Sequence, residues 1–291
     1  MGVSADPRVA ELYRYPVKGL SAEPLSQVAL SADEGVPGDR LFAFALPDTD
    51  FDEDHPAALH KTRFLMLQRD EALARVRTSY DPATGRLGVD DGAERWSADL
   101  GTAAGRRAVE EYFGGLAAPT AGTSGAPHLA DETAGTNGAD APGTGGGGGL
   151  PRLVEARAGH RFTDAGPGGP DLMRAVSVIN LASVRDLAER VGQSVHPLRF
   201  RANIYIDGIP AWAERDWVDR DFALGPVRAR GLSVTRRCAA TTVNPDTAER
   251  DLKVVKELSA HYGHTECGIY VQVRVPGMVR PGDSVTPPAS G

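Results

Sequence analysis

The chemistry this sequence offers first is a lone thiol flanked by cations and hydroxyls. Cys238 follows Arg236 and Arg237 and precedes Thr241 and Thr242, within the stretch 232–246. Neighbouring positive charge favours thiolate over thiol. A thiolate is a soft metal ligand and a nucleophile. Arginine forks hold phosphate through paired N–H groups. A soft ligand beside phosphate-holding groups suggests a cofactor carrying both a metal and a phosphate. Taken alone, a free cysteine is more often a small buried apolar side chain. The adjacent arginines and hydroxyls argue against that here, because an inert core thiol does not need them.

Three further groups of residues carry chemistry. Arg199, Arg201 and Asn203 share one face if 199–207 is a strand, with Phe200, Ala202, Ile204 and Ile206 on the other. Turned outward they are a solvated surface; turned inward they need partners, and an anionic ligand supplies them. Lys18 follows a short strand and sits in a turn, where a side chain reaches into a cleft. Arg40 enters a strand from the Gly38-Asp-Arg40 turn in the same way. Cys267, near His264 and Glu266, has a zinc-like neighbourhood. It lacks a second pair of ligands, so a packed cysteine, or a second thiol in the cavity of Cys238, is favoured.

The elements that must position these groups are mostly strands. Segments 9–15, 26–30, 40–46, 74–80, 86–90, 175–181, 199–207, 222–224, 227–234 and 268–275 read as strands, several with period-two alternation. Helices are expected over 102–113, ended by Gly114-Gly115, over 184–191 with Ser183 as N-cap, and from a cap at Asp251 to Tyr262. Many short strands, few helices and frequent Gly/Pro turns predict a mainly β protein, a β-barrel with peripheral helices. Residues 116–149 are rich in Gly, Ala, Thr, Ser and Pro and end in successive glycines, a composition expected of a flexible linker or surface insertion.

The chain has 291 residues, a formal net charge of −7 and a hydrophobic share of 41%. That suits one large or two ordinary folded domains and argues against general nucleic-acid binding, which needs a basic footprint. Two cysteines cannot build a disulfide framework. No apolar run approaches the roughly 20 residues that span a bilayer, and no basic start followed by an apolar core opens the sequence. A reducing, cytoplasmic setting without membrane contact is the expectation.

Five motifs in order then carry a resemblance. Tyr15-Pro-Val-Lys-Gly-Leu20, Gly38-Asp-Arg40, Arg199-Phe-Arg-Ala-Asn-Ile204, Arg237-Cys-Ala-Ala-Thr-Thr-Val-Asn-Pro245 and Pro276-Gly-Met-Val-Arg-Pro-Gly-Asp283 together resemble the MOSC family. Its members are related to the C-terminal domain of molybdenum-cofactor sulfurase. The N-terminal motifs are similar to the β-barrel domain that precedes MOSC domains in the amidoxime-reducing type. The resemblance implies a smaller N-terminal β domain over 1–115, a linker over 116–150 and a MOSC β-barrel core over 151–291.

It also implies a molybdenum cofactor, molybdenum on a phosphate-bearing molybdopterin. Cys238 would be the metal ligand and catalytic centre. Lys18, Arg40, Ser183, Arg201, Asn203 and Arg237 would hold the cofactor. The implied activity is reduction of a small N-oxygenated, N-hydroxylated substrate with electrons from a separate reductase or cytochrome, since no cysteine-rich iron–sulfur segment is present. Two other roles stay open: a cofactor carrier or sulfur-transfer protein, and a metal-free enzyme with Cys238 as nucleophile. The chain departs from the family pattern at Gly19, where serine is frequent, at Arg236, where serine commonly stands, and at Cys267, commonly phenylalanine. Added charge at Arg236 would favour an acidic substrate.

Overall fold

The structure is a computed structural model that describes residues 6–32, 34–117 and 149–289. The expected linker of 116–150 lies almost wholly outside the described residues. The N-terminal part supplies strands β1 (Arg8–Arg14), β2 (Glu23–Pro24), β3 (Val28–Leu30), β4 (Phe42–Ala45), β5 (Arg77–Asp81), β6 (Arg86–Asp90) and β7 (Arg95–Asp99), then helix α1 (Ala103–Ala117). The C-terminal part supplies β8 (Arg152–Glu155), α2 (Pro170–Met173), β9 (Val176–Asn180), α3 (Leu181–Val191), β10 (Ile204–Asp207), β11 (Asp221–Leu224) and β12 (Val227–Arg236). It closes with α4 (Val254–Tyr262), β13 (Glu266–Val275), β14 (Gly277–Val279) and β15 (Val285–Thr286).

The protein is mainly β with peripheral helices, and the expected barrel is a curled half-barrel. Its sheet has eight strands in the order β15-β11-β12-β13-β9-β10-β1-β2. Neighbours are antiparallel except β9 and β10, which run parallel with Ile204 opposite Val178. A parallel pair needs a crossover, and α3 provides it. β1 joins the sheet through Leu12 opposite Ile204, so the turn that carries Lys18 leaves directly from the half-barrel. β4 pairs with β8, and β5-β6-β7 form a separate meander packed on α1.

The core lies on both faces of the sheet. Val9, Leu12, Val178, Ile204, Ile206 and Val271 pack on one face. Ile179, Tyr205 and Cys267 face α3 and α4 through Leu187 and Leu258. Each fully buried aliphatic side chain stabilises the fold by about 1.5–3 kcal/mol. Burial on both faces explains why β9 and β4 are buried at every position. In β4, Phe42 and Phe44 pack toward the meander while Ala43 and Ala45 pack toward Phe51 and Phe162.

Several local expectations are corrected. The expected strand 199–207 begins only at Ile204. Before it, Pro197–Phe200 is a 3-10 turn, with Pro197 in its first turn and the His196 side chain accepting from Leu198 N; proline pre-set for a helical start wins over alternation. Arg199, Arg201 and Asn203 therefore do not share a strand face. Helix α1 runs through Gly114-Gly115 to Ala117 rather than stopping there. Ser183 is not the N-cap of its helix: the cap is Asn180, whose side chain accepts from Ala182 N at 3.0 Å. Asp251 does not cap α4; its carboxylate is taken by Arg199 and by Asn244. Strand β7 went unread in the sequence.

Candidate functional site

Cys238 sits at the end of β12, where the chain leaves the sheet and enters the short 3-10 turn Ala239–Thr242. The thiol is partly exposed and has no hydrogen-bond partner among the described residues. Thr241 Oγ1 donates to Cys238 O at 2.9 Å and Thr242 Oγ1 to Ala239 O at 2.6 Å. Both hydroxyls thus hold the turn instead of facing a ligand. Arg236 points away, exposed, with Glu266 at 3.9 Å.

Arg237 is anchored more firmly. Its Nε donates to Cys267 O at 2.8 Å, Nη2 reaches the same oxygen, and Nη1 donates to Phe200 O at 2.8 Å. The close approach needs Gly268, at φ 79°, where a Cβ would lie 2.5 Å from Val178 O. Cys267 itself is fully buried, and burial pushes its thiol up to about 12. It is a packed cysteine. No group of three or more His, Cys, Asp or Glu side chains suited to a metal ion occurs among the described residues.

Arg40 and Arg201 converge on Tyr15. Arg40 and Arg201 stack on the Tyr15 ring at 4.9 and 4.4 Å from its centroid. Burial raises the Tyr15 phenol to about 12, partly offset by these two cations. Both arginines have left-handed backbones, φ 49° and 53°, a conformation that costs a non-glycine residue about 1–2 kcal/mol and clusters at functional sites. Arg40 pairs with Asp39 and donates to Arg201 O at 3.1 Å. Arg201 donates to Leu20 O at 2.5 Å. Burial lowers its pKa, and Arg40 adds to that. Lys18 pairs with Asp164. Next to it, Gly19 has φ 82° and lies so close to Leu65 O that a Cβ would come within 3.1 Å, which accounts for glycine at this position.

The balance of charge is the informative feature. Lys18 and Arg40 each have a carboxylate partner. Arg201 and Arg237 have none among the described residues; they are held by backbone carbonyls and aromatic faces. A partly buried guanidinium group without a carboxylate partner can receive an anion.

Sequence reasoning missed three members of the site. Asp39 and Asp164 set the charge balance. Tyr270, on β13 opposite Ser233 of β12, is the third. Burial raises its phenol pKa; Arg237 and Arg40 pull it down, while Asp164 and Cys238 push it up. The groups attributed to the site therefore act on one hydroxyl, which has no hydrogen-bond partner among the described residues. The one signal for it in the sequence was its place two residues from Gln272 in the strand, on the same face. Two expected members do not join. Asn203 is buried and spent on the fold: its Oδ1 accepts from Ser177 N and Oγ at 3.2 and 2.8 Å, and its Nδ2 donates to Tyr13 O. Ser183 is fully buried; its Oγ donates to Glu214 at 2.8 Å and accepts from Trp212 N.

Residues 152–286 match the family described as MOSC domain. The chain carries a MOSC domain. Among curated proteins it is similar to mitochondrial amidoxime-reducing component 1 of Mus musculus, 33% identical over 120 residues, which is 37% of this chain and 35% of that protein. It is also similar to mitochondrial amidoxime reducing component 2 of Bos taurus, 31% identical over 122 residues, 38% of this chain and 36% of that protein. The chain thus matches little more than a third of the length of either relative. Among solved structures, YuaD from Bacillus subtilis covers 97% of this chain and 94% of its own, at 10% identity and a TM-score of 0.39, too weak a likeness to carry an argument. No helix among the described residues is long and apolar enough to cross a membrane.

Proposed function

We propose that this MOSC protein binds the molybdenum cofactor and reduces N-hydroxylated small molecules with electrons from a separate donor protein. The observation that carries this is the pair of arginines without counter-ions, Arg201 and Arg237, the latter next to a partly exposed thiol. The names of the amidoxime-reducing relatives supply the substrate class.

The donor set fits the cofactor. A bare metal ion would find one thiol and no cluster of further ligands among the described residues. A metal arriving with its own sulfur ligands and a phosphate needs one protein thiolate and positive charge, which Cys238, Arg201 and Arg237 supply. When bound, such a cofactor supplies two-electron reduction at an N–O bond. Cys238 would hold the metal; Lys18, Arg40, Arg201 and Arg237 would hold the anionic part. Tyr270 stays protonated at neutral pH because burial raises its pKa, and its hydroxyl is near enough to Arg237 and Cys238 to feel their charge.

The test is the molybdenum and pterin content of protein purified from a molybdenum-replete host, with turnover of a hydroxylamine measured on the same sample. One metal and one pterin per chain, and turnover, are expected. Turnover with neither present would overturn the reading and pass the chemistry to Cys238 as a nucleophile.

A further inference from the structure

Arg199 stands in the motif that supplies Arg201, yet it is spent on the loop that follows Cys238. Its side chain is only 2% exposed. Nη1 donates to Thr241 O at 3.3 Å and to Thr242 O at 3.0 Å, and Nη2 pairs with Asp251. The other Asp251 oxygen accepts from Asn244 Nδ2 at 2.7 Å. One guanidinium thus fastens both ends of the loop 239–251, which closes on itself where Val243 meets Arg250.

The link from Arg199 to Cys238 is one residue long. Thr241 gives its carbonyl to Arg199, and its N–H and hydroxyl donate to Cys238 O at 3.1 and 2.9 Å. The residue on the other side of Cys238 is tied to the same place. Arg237 Nη1 donates at 2.8 Å to the carbonyl of Phe200, the neighbour of Arg199. The 3-10 turn Pro197–Phe200 therefore holds the chain both before and after Cys238. That turn is itself set by Pro197 and the His196 cap.

Stability alone does not account for an arginine here. Burying a guanidinium costs desolvation that an ion pair returns only in part, and Arg199 Nε is buried with no partner. An apolar side chain of similar volume would fill the space without that cost. What it would lack is a planar fork that reaches two carbonyls and a carboxylate together. We propose that Arg199 is a positioning residue for Cys238: through Thr241 and Asp251 it fixes the backbone that carries the thiol. The role is the same whether Cys238 grips a metal or acts as a nucleophile, so it goes beyond the reductase reading and does not rest on it.

The test is Arg199→Lys in the full chain, produced in a host grown without molybdate so that the thiol is free. Lysine keeps the charge and loses the fork. Hydrogen exchange by mass spectrometry follows residues 239–243, with peptides from β9 and β13 as references. Iodoacetamide at pH 8 reads the thiol itself, mapped to Cys238 or Cys267. In Arg199→Lys the 239–243 amides exchange about tenfold faster while β9 and β13 keep the parent rate. Cys238 is alkylated at least about threefold faster, and Cys267 stays unmodified. Asp251→Ala, at a partly exposed position, leaves Nη1 on its carbonyls and moves both readouts the same way by less. It decides the matter if Arg199→Lys does not fold. Arg185→Gln, which breaks an exposed ion pair with Asp207, leaves both at the parent rate. Turn exchange that stays at the parent rate overturns the proposal. So does faster exchange without faster alkylation, since Arg199 would then support the loop and not the thiol. Acceleration shared by β9 and β13, or by Arg185→Gln, overturns it as well, because the effect would be general destabilisation. Neither metal nor turnover is measured, so a failure of the redox reading and a failure of this inference register separately.

Discussion

Arg40 Nη2 donates to the carbonyl oxygen of Arg201 at 3.1 Å, and both guanidinium groups lie against the Tyr15 ring. Two like charges are thus held together on one aromatic ring, with a single carboxylate, Asp39, for the pair. Arg201 also carries a left-handed φ of 53°. Its charge and its backbone strain can therefore be separated by substitution. Arg201→Gly removes the charge and the strain; Arg201→Ala removes the charge and keeps the strain. The glycine variant is expected to be the more stable by about 1 kcal/mol in urea denaturation. Both should lose most of the bound cofactor, measured as molybdenum per chain. Equal stability would mean that the φ of Arg201 stores no strain.

The two thiols should differ sharply in reactivity. Cys238 is partly exposed, whereas Cys267 is buried with its thiol pushed up to about 12. Iodoacetamide at pH 8 is expected to modify one cysteine in the native protein and two after denaturation, read by intact mass. Cys238→Ser should abolish turnover with the fold intact; Cys267→Ser should be milder. Native labelling at Cys267 would contradict the packing described.

The local placements were legible in the sequence because they are locally encoded: Lys18 lies in a turn after β1, Gly38-Asp-Arg40 is a turn, and Cys238 with Arg237 follows a strand. The counter-charges were not legible: Asp164 meets Lys18 across 146 residues, a pairing that only tertiary structure sets. Alternation over 199–207 misled because Pro197 and the His196 cap impose a 3-10 turn first. Tyr270 was invisible for a related reason, since strand period gives its face but not the neighbours across the sheet.

The Lys18–Asp164 pair gives stability a sign with pH. The Asp164 pKa is lowered from the ordinary 3.8 to about 2. Its contribution is complete above the ordinary value and is lost as pH falls through about 2. Asp164→Asn should therefore lower stability slightly at pH 7 to 8 and leave it nearly unchanged near pH 2, which flattens the acid limb between about pH 4 and pH 2. The effect is small, because the Asp164 side chain is 52% exposed and solvent screens the pair. Melting temperatures of parent and variant across that window check it; parallel curves would contradict the pairing.

Ser183 offers the sharpest contrast between family resemblance and local chemistry. The resemblance gives it to the cofactor, yet its Oγ is fully buried and donates to Glu214 at 2.8 and 3.0 Å. Glu214 also accepts from Asn180 Nδ2 at 3.3 Å. Burial raises the Glu214 pKa, and these donors pull it back. A raised carboxylate favours the folded state most at low pH; the advantage fades as pH climbs past the ordinary carboxylate value through the folded one. Ser183→Ala removes a donor from the charged form, so it should destabilise by about 1–3 kcal/mol at pH 8. At pH 5, where more of Glu214 is protonated, the loss should be smaller. The molybdenum-to-protein ratio should stay at the parent value. Urea denaturation at both pH values and metal analysis decide the matter. A variant of parental stability that has lost its metal would return Ser183 to the cofactor.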